Sequence, residues 1–379
     1  MRKLPITAPK TKMNMLTTMG LNYIVDAMEI QTLLKLMTDQ NASDLHLVVG
    51  SPPILRVAGE MSRTPYEFLT AETVKPLVYS MLSEEQKFSL ERERELDLAT
   101  ELGESRYRVN VHFARGSVGA AIRRIPKRIP TLSELRMPKI LENFCQEIRG
   151  LVLVTGPTGS GKSTTQASMI DFVNNTRACH IVTVEDPIEY VHNHKKSIIE
   201  QREVGLDTLT FGRALKRVLR QDPDVVLVGE MRDLETIQTA ITAAETGHLV
   251  ISTLHTSDAA QSVDRIIDVF PPHQQPQVRL QLSMVLKGII AQQLIPRKDK
   301  KSVVAAVEVL VATPAVRNIV RKSTTQELYS VIEIGAKYGM QGMDSAIKEL
   351  YDNSIISYDE AIAHAQNQEQ LTKALKQVI

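Results

Sequence analysis

The sequence predicts an α/β protein in two unequal parts, a smaller α+β region followed by a larger one built on a mainly parallel sheet. Three observations lead there. Beyond residue 137, short and nearly continuous apolar runs alternate with helical segments, the pattern of parallel strands covered on both faces. A glycine-rich loop of the form GxxxxGK[ST], residues 156–163, joins one of these runs to a helical segment. Before residue 126, the clearest strand alternates polar and apolar residues, as a half-buried sheet does.

Taken in order, residues 1–27, with Pro5, Pro9 and scattered lysines, read as a flexible N-terminal extension. Helical spacing begins near Met28, where Ile30, Leu33, Leu34 and Met37 share a face. A strand is expected over 44–49, then a break at Ser51-Pro52-Pro53. In 106–113, Tyr107, Val109, Val111 and Phe113 alternate with Arg106, Arg108, Asn110 and His112, and residues 117–125 return as the hairpin partner. The first domain is thus 28–126. Residues 127–136, in a stretch marked by Pro126, Pro130 and Pro138, form the linker to a second domain, 137–379. Strands are expected at 151–154, 180–184, 225–228 and 249–252, and a packing helix at 277–294 carrying Val278, Leu282, Val285, Leu286, Ile289 and Ile290.

Composition excludes several classes. The 379 residues carry 45 basic and 44 acidic side chains, so no cationic excess drives coating of nucleic acid. Without Trp and with 4% aromatics, stacking platforms for single strands are few. Cys145 and Cys179, outside any CxxC spacing, read as reduced thiols of a cytoplasmic protein. No apolar stretch approaches the about 18 residues of a membrane span, and 303–312 is short and holds Glu308. Residues 1–27 do not read as a signal peptide.

The chemistry is carried by the loop. Glycines let backbone N–H groups turn inward around phosphate oxygens, and the following helix N-terminus adds a favourable dipole. The phosphate-binding set is Gly156, Pro157, Thr158, Gly159, Ser160, Gly161, Lys162, Ser163 and Thr164. Lys162 is expected to reach the β- and γ-phosphates of ATP, and the Ser163 hydroxyl to ligate Mg²⁺. The other three strands end in polar clusters: 185–189, 229–233, and the histidines His248 and His255 flanking 249–252. Ligands of open parallel sheets bind outside the carboxyl ends of the strands, so these clusters are expected to converge on the loop. Glu230 stands where a metal-holding Walker B carboxylate belongs, and Glu189 is the candidate to polarise the attacking water.

These residues resemble the PilT family of secretion-superfamily traffic ATPases, which power type IV pilus retraction and twitching motility. The resemblance rests on the loop 156–163, on Thr183-Val-Glu-Asp-Pro-Ile-Glu189, on 222–230 and on 244–255, with Ala42-Ser-Asp-Leu-His46 and Gly339-Met-Gln341 nearer the ends. It implies a PAS-like N-terminal domain, a RecA-like ATPase domain and a homohexameric ring. It places Glu189, Glu230, His248 and His255 in the catalytic boxes, and brings Arg106, Arg108, Arg115 and Arg123 towards nucleotide at subunit boundaries. It further implies a PilC-like inner-membrane platform protein and a PilU-like paralogue as partners, no direct nucleic acid, and a place at the cytoplasmic face of the inner membrane. Residues 315–322 resemble a motif linked to retraction, although Lys322 stands where the motif ends in Glu. With two cysteines, the chain lacks the four-cysteine metal module of PilB and GspE relatives. The competing readings are a PilU-like accessory motor, a type II secretion-type ATPase, and a RecA-like nucleic-acid translocase.

Overall fold

A computed structural model describes residues 28–57, 60–102, 105–125, 128–299 and 302–376. The expected extension 1–27 lies outside the described residues, as do Pro126 and Lys127 of the connecting stretch. The two predicted regions are two sheets with separate apolar cores.

The N-terminal sheet has six strands: β1 (Asp44–Leu47), β2 (Ile54–Val57), β3 (Glu60–Arg63), β4 (Glu95–Leu102), β5 (Ser105–Ala114) and β6 (Ser117–Ile125). They lie in the order β3-β2-β1-β6-β5-β4, every pair antiparallel. Alternation works as expected in β5, where Tyr107, Val109 and Val111 are buried and Arg106, Arg108, Asn110 and His112 are not. Arg115 and Gly116 close the β5–β6 hairpin at φ 52° and 78°, the paired positive angles of a two-residue turn that matches strand twist. The helix Ile30–Asp39 buries Ile30, Leu33, Leu34, Leu36 and Met37 in the core of this sheet.

The second sheet has seven strands: β7 (Gly150–Thr155), β8 (His180–Glu185), β9 (Ile198–Glu203), β10 (Val225–Val228), β11 (Leu249–Leu254), β12 (Leu286–Pro296) and β13 (Val303–Val311). Their order is β13-β12-β7-β11-β10-β8-β9, and all neighbours are parallel except β12–β13. The four predicted strands are its centre. Their runs are continuously apolar because alternate residues enter different cores. Val152, Val154, Leu227 and Ile251 pack with Met169, Ile170 and Val173 of the helix Lys162–Thr176. Leu151, Leu153, Val226 and Val250 face Leu215, Ile237, Ile241 and Ile266 instead.

The expected helix over 277–294 is corrected. The chain is helical only over Gln275–Val285 and then runs as β12 beside β7. Leu286, Ile289 and Ile290 suit a helical face, but a strand buried on both sides shows the same apolar crowding. Ile289 and Ile290 settle the matter by packing into opposite cores. The apolar stretch weighed as a membrane candidate is β13, and no helix among the described residues is long and apolar enough to cross a membrane.

Candidate active site

Parallel pairing brings the carboxyl ends of β7, β8, β10 and β11 to one edge, with Leu254 beside Thr155 and Val228 beside Val184 and Ser252. A cleft of about 610 Å³ opens there. Thr158, Gly159, Gly161, Lys162, Ser163 and Thr164 line it, together with Glu189, Glu230 and His255. Arg108, Arg123 and Arg124 of the N-terminal sheet form its opposite wall.

The loop is shaped by backbone constraint. Gly156 sits at φ 145°, where a Cβ would meet the carbonyl oxygen of Gln292 at 2.3 Å, so only glycine fits. Lys162 opens the helix that follows, and its ammonium donates to the carbonyls of Gly156 (2.8 Å) and Pro157 (2.9 Å). Burial pushes that ammonium below the usual lysine range, while Glu230 and Glu189 oppose the shift. Lys162 therefore already feels both acids across the cleft. Gly156, Pro157 and Ser160 do not line the cleft: Pro157 is exposed on a neighbouring hollow, and Gly156 and Ser160 are buried.

Glu230 follows β10 and receives the Arg232 guanidinium and the His255 ring, whose Nε2 lies 3.0 Å from the carboxylate. Burial raises its pKa, but Arg232 and His255 together outweigh it and hold the carboxyl below its ordinary value. Glu230 is thus ionised at neutral pH. Glu185, at the end of β8, is the opposite case: burial pushes it up to about 7, although it accepts from Thr183 Oγ1 (2.6 Å) and Gln201 Nε2 (3.2 Å). The Thr164 and Tyr190 hydroxyls meet at 3.0 Å along the same wall.

Three of the expected site residues lie away from this chain's own cleft. His248 precedes β11, at the edge where its carbonyl accepts from Gly150 N, while His255 follows the strand at the cleft. The length of β11, about 20 Å, separates them. The His248 ring is 2.9 Å from the Ala243 carbonyl, a local contact closing the preceding helix. Arg115 occupies the hairpin turn, roughly 30 Å along β5 from Arg106, and does not line the cleft. Arg106 leaves the same face as Arg108 but is drawn to Glu203 (3.3 Å), a buried carboxylate of β9 that also accepts from Ile188 N. It ties the two sheets together. Arg108 and Arg123 do reach the cleft, and they reach that of their own chain; Arg123 Nε also donates to Asp44 at 2.7 Å.

Sequence reasoning placed Glu185 and Arg232 in its polar clusters without giving either a role, and missed Arg124, Tyr190 and Gln292. Arg232 and Arg124 each sit within two residues of a candidate already named. Gln292 carried its own signal, a buried amide in an apolar run.

A family model described as "Type II/IV secretion system protein" matches residues 122–377. The type IV pilus retraction ATPase PilT of Pseudomonas aeruginosa is 47% identical over 335 residues, 88% of this chain and 97% of that protein. The chain belongs to the PilT family. The type IV pilus ATPase PilU of the same organism is 41% identical over 92% of each protein. A crystal structure of the pilus retraction motor PilT with bound ADP superposes at a TM-score of 0.85 with 44% identity, covering 91% of this chain and 99% of that one. The PilT family thus accounts for both the order of the motifs and the fold around the cleft.

Proposed function

We propose that this chain is the ATP-hydrolysing subunit of a type IV pilus retraction motor and that the cleft is where hydrolysis occurs. The observation carrying this reading is the convergence of Lys162, Ser163, Glu189, Glu230 and His255 with a wall of arginines in one cleft of a PilT-family chain. The phosphate loop cradles the triphosphate with backbone N–H groups, and Lys162 swings from its two loop carbonyls to the β- and γ-oxygens. Glu189 orients and polarises the attacking water. His255 and Arg232 fix the Glu230 carboxylate in its ionised form. Arg108, Arg123 and Arg124 meet charge spreading over the transferred phosphoryl group.

The donor set suits Mg²⁺. Ser163 and Glu230 offer oxygen ligands in the cleft, and no group of three or more His, Cys, Asp or Glu suited to a metal occurs among the described residues. An ion held by one or two protein oxygens and by substrate phosphates is the usual Mg²⁺ arrangement. Bound there, it would neutralise phosphate charge.

At the level of the assembly, we read residues 28–126 as a PAS-like domain, 127–136 as a linker and 137–379 as a RecA-like domain, six copies forming a ring. Its partners on this reading are a PilC-like inner-membrane platform protein and a PilU-like paralogue, placing it at the cytoplasmic face of the membrane. The 41% identity to PilU favours an accessory motor as the second reading. The enzymatic core is tested by Mg²⁺-dependent ATP hydrolysis of the purified chain and of Lys162→Ala. Turnover in the former and none in the latter is expected; equal turnover refutes the assignment.

A further inference from the structure

We infer that Gln292 is a positioning residue for the phosphate loop, holding it in its binding shape from behind. The inference rests on the phosphate-loop reading above and deepens it. Gln292 lies on β12, next to β7 in the sheet, and is 1% exposed. Its Nε2 donates to the carbonyl of Ser160 at 2.6 Å, and its Oε1 accepts from Thr165 Oγ1 at 2.9 Å. One amide thus ties the middle of the loop to the first turn of the helix Lys162–Thr176. The contact is close on two further sides. The Gln292 main-chain oxygen lies against Gly156, and its Nε2 would stand 3.2 Å from a Cβ on Gly161.

The chemistry explains why glutamine is required. The loop turns its N–H groups towards phosphate, which leaves the Ser160 carbonyl pointing the other way, where Ser160 and Gln292 are both buried. A donor must meet that carbonyl, and an acceptor must meet the buried Thr165 hydroxyl. An amide supplies both at once. A carboxylate would satisfy Thr165 but set negative charge against the Ser160 carbonyl, and methionine would satisfy neither. Gln292 touches the loop only from the side facing away from the cleft, so its effect on ligand passes through the loop.

The test uses the full chain and measures affinity for Mg²⁺-ATP and for inorganic tripolyphosphate, alongside thermal unfolding. The variants are Gln292→Met, Gln292→Glu and Thr165→Val. A loop held wrongly weakens both ligands alike, because both bind through phosphate. About tenfold weaker binding of each is expected for the two Gln292 variants at temperatures where they remain folded, the scale of a buried Ser160 carbonyl left without its donor. Thr165→Val, losing one of the two bonds, is expected to weaken both ligands less. Folded Gln292 variants that bind tripolyphosphate as the wild type does would overturn the inference and reduce Gln292 to a packing residue. If neither Gln292 variant folds, wild-type affinity in Thr165→Val overturns it instead. A wild-type chain that fails to bind tripolyphosphate overturns the phosphate-loop reading itself, an outcome distinct from the others.

Discussion

Replacing Glu308 by glutamine should stabilise the protein at alkaline pH and leave it nearly unchanged in mild acid. Glu308 lies on β13, is 2% exposed, and accepts from the backbone N–H of Ala259 at 2.8 Å. Burial is the main reason its pKa rises from 4.5 to about 7, with Asp258 adding to the rise and hydrogen bonds from Ala259 and Gln366 opposing it. The folded-state pKa stands above the unfolded one, so the fold favours the protonated form. Its contribution is fully present below the unfolded pKa and is lost as pH rises through about 7. At about 1.4 kcal/mol per pH unit between the two values, the loss reaches about 3 kcal/mol. Glutamine keeps an acceptor for Ala259 N–H and never ionises. Urea unfolding of both proteins near pH 5 and near pH 8 gives the answer. The variant should gain about 3 kcal/mol at the higher pH and stay within about 1 kcal/mol at the lower. Glu185, also raised to about 7, leaves a residual slope of the same sign in the variant. An identical difference between variant and wild type at both pH values would refute the reasoning.

Three other predictions concern the site and its surroundings. Glu189→Gln and Glu230→Gln should each keep nucleotide affinity while hydrolysis falls at least about 100-fold, the scale of lost general-base help or charge stabilisation; parallel binding and turnover measurements decide, and equal losses in both would make the acids structural. In the helix Pro314–Lys322, Arg317 donates to the carbonyls of Ala312, Ser283 and Met284, so Arg317→Ala should cost about 2 kcal/mol in chemical denaturation. Arg321 and Lys322 are exposed, and their double Ala variant should stay within about 0.5 kcal/mol while cells lose twitching; unimpaired twitching would remove this face from force coupling.

How much of this was legible in the sequence depended on whether a residue's role is local. The loop 156–163, the four central strands and the β5–β6 hairpin followed from period and turn chemistry alone, because short-range spacing determines each of them. Glu189, Glu230 and His255 were legible because residues that follow parallel strands are carried to one edge. His248 broke that logic by preceding its strand, a distinction that seven residues of spacing conceal when a strand's direction is ignored. The arginines divided for a long-range reason. Arg106 and Arg108 are equivalent within β5, and only the buried Glu203, 97 residues away, separates a tie between sheets from a wall of the cleft. β12 was hidden because both of its faces are buried, and β9 because its exposed edge carries Glu200, Gln201 and Arg202 among few apolar residues. In the retraction-like helix, Val316, Ile319 and Val320 pack as their spacing demands, but the tethering of Arg317 to three carbonyls is visible only in three dimensions.

The central claim is that hydrolysis in this cleft drives retraction of the pilus. Its most direct measurement is optical-trap or fluorescence recording of single pili in cells lacking the chain, complemented with the wild type or with Lys162→Ala. Cells without it should extend surface pili that neither retract nor support twitching, wild type should restore both, and Lys162→Ala should restore neither. Pili that retract at the normal frequency and force in cells carrying only Lys162→Ala would contradict the account.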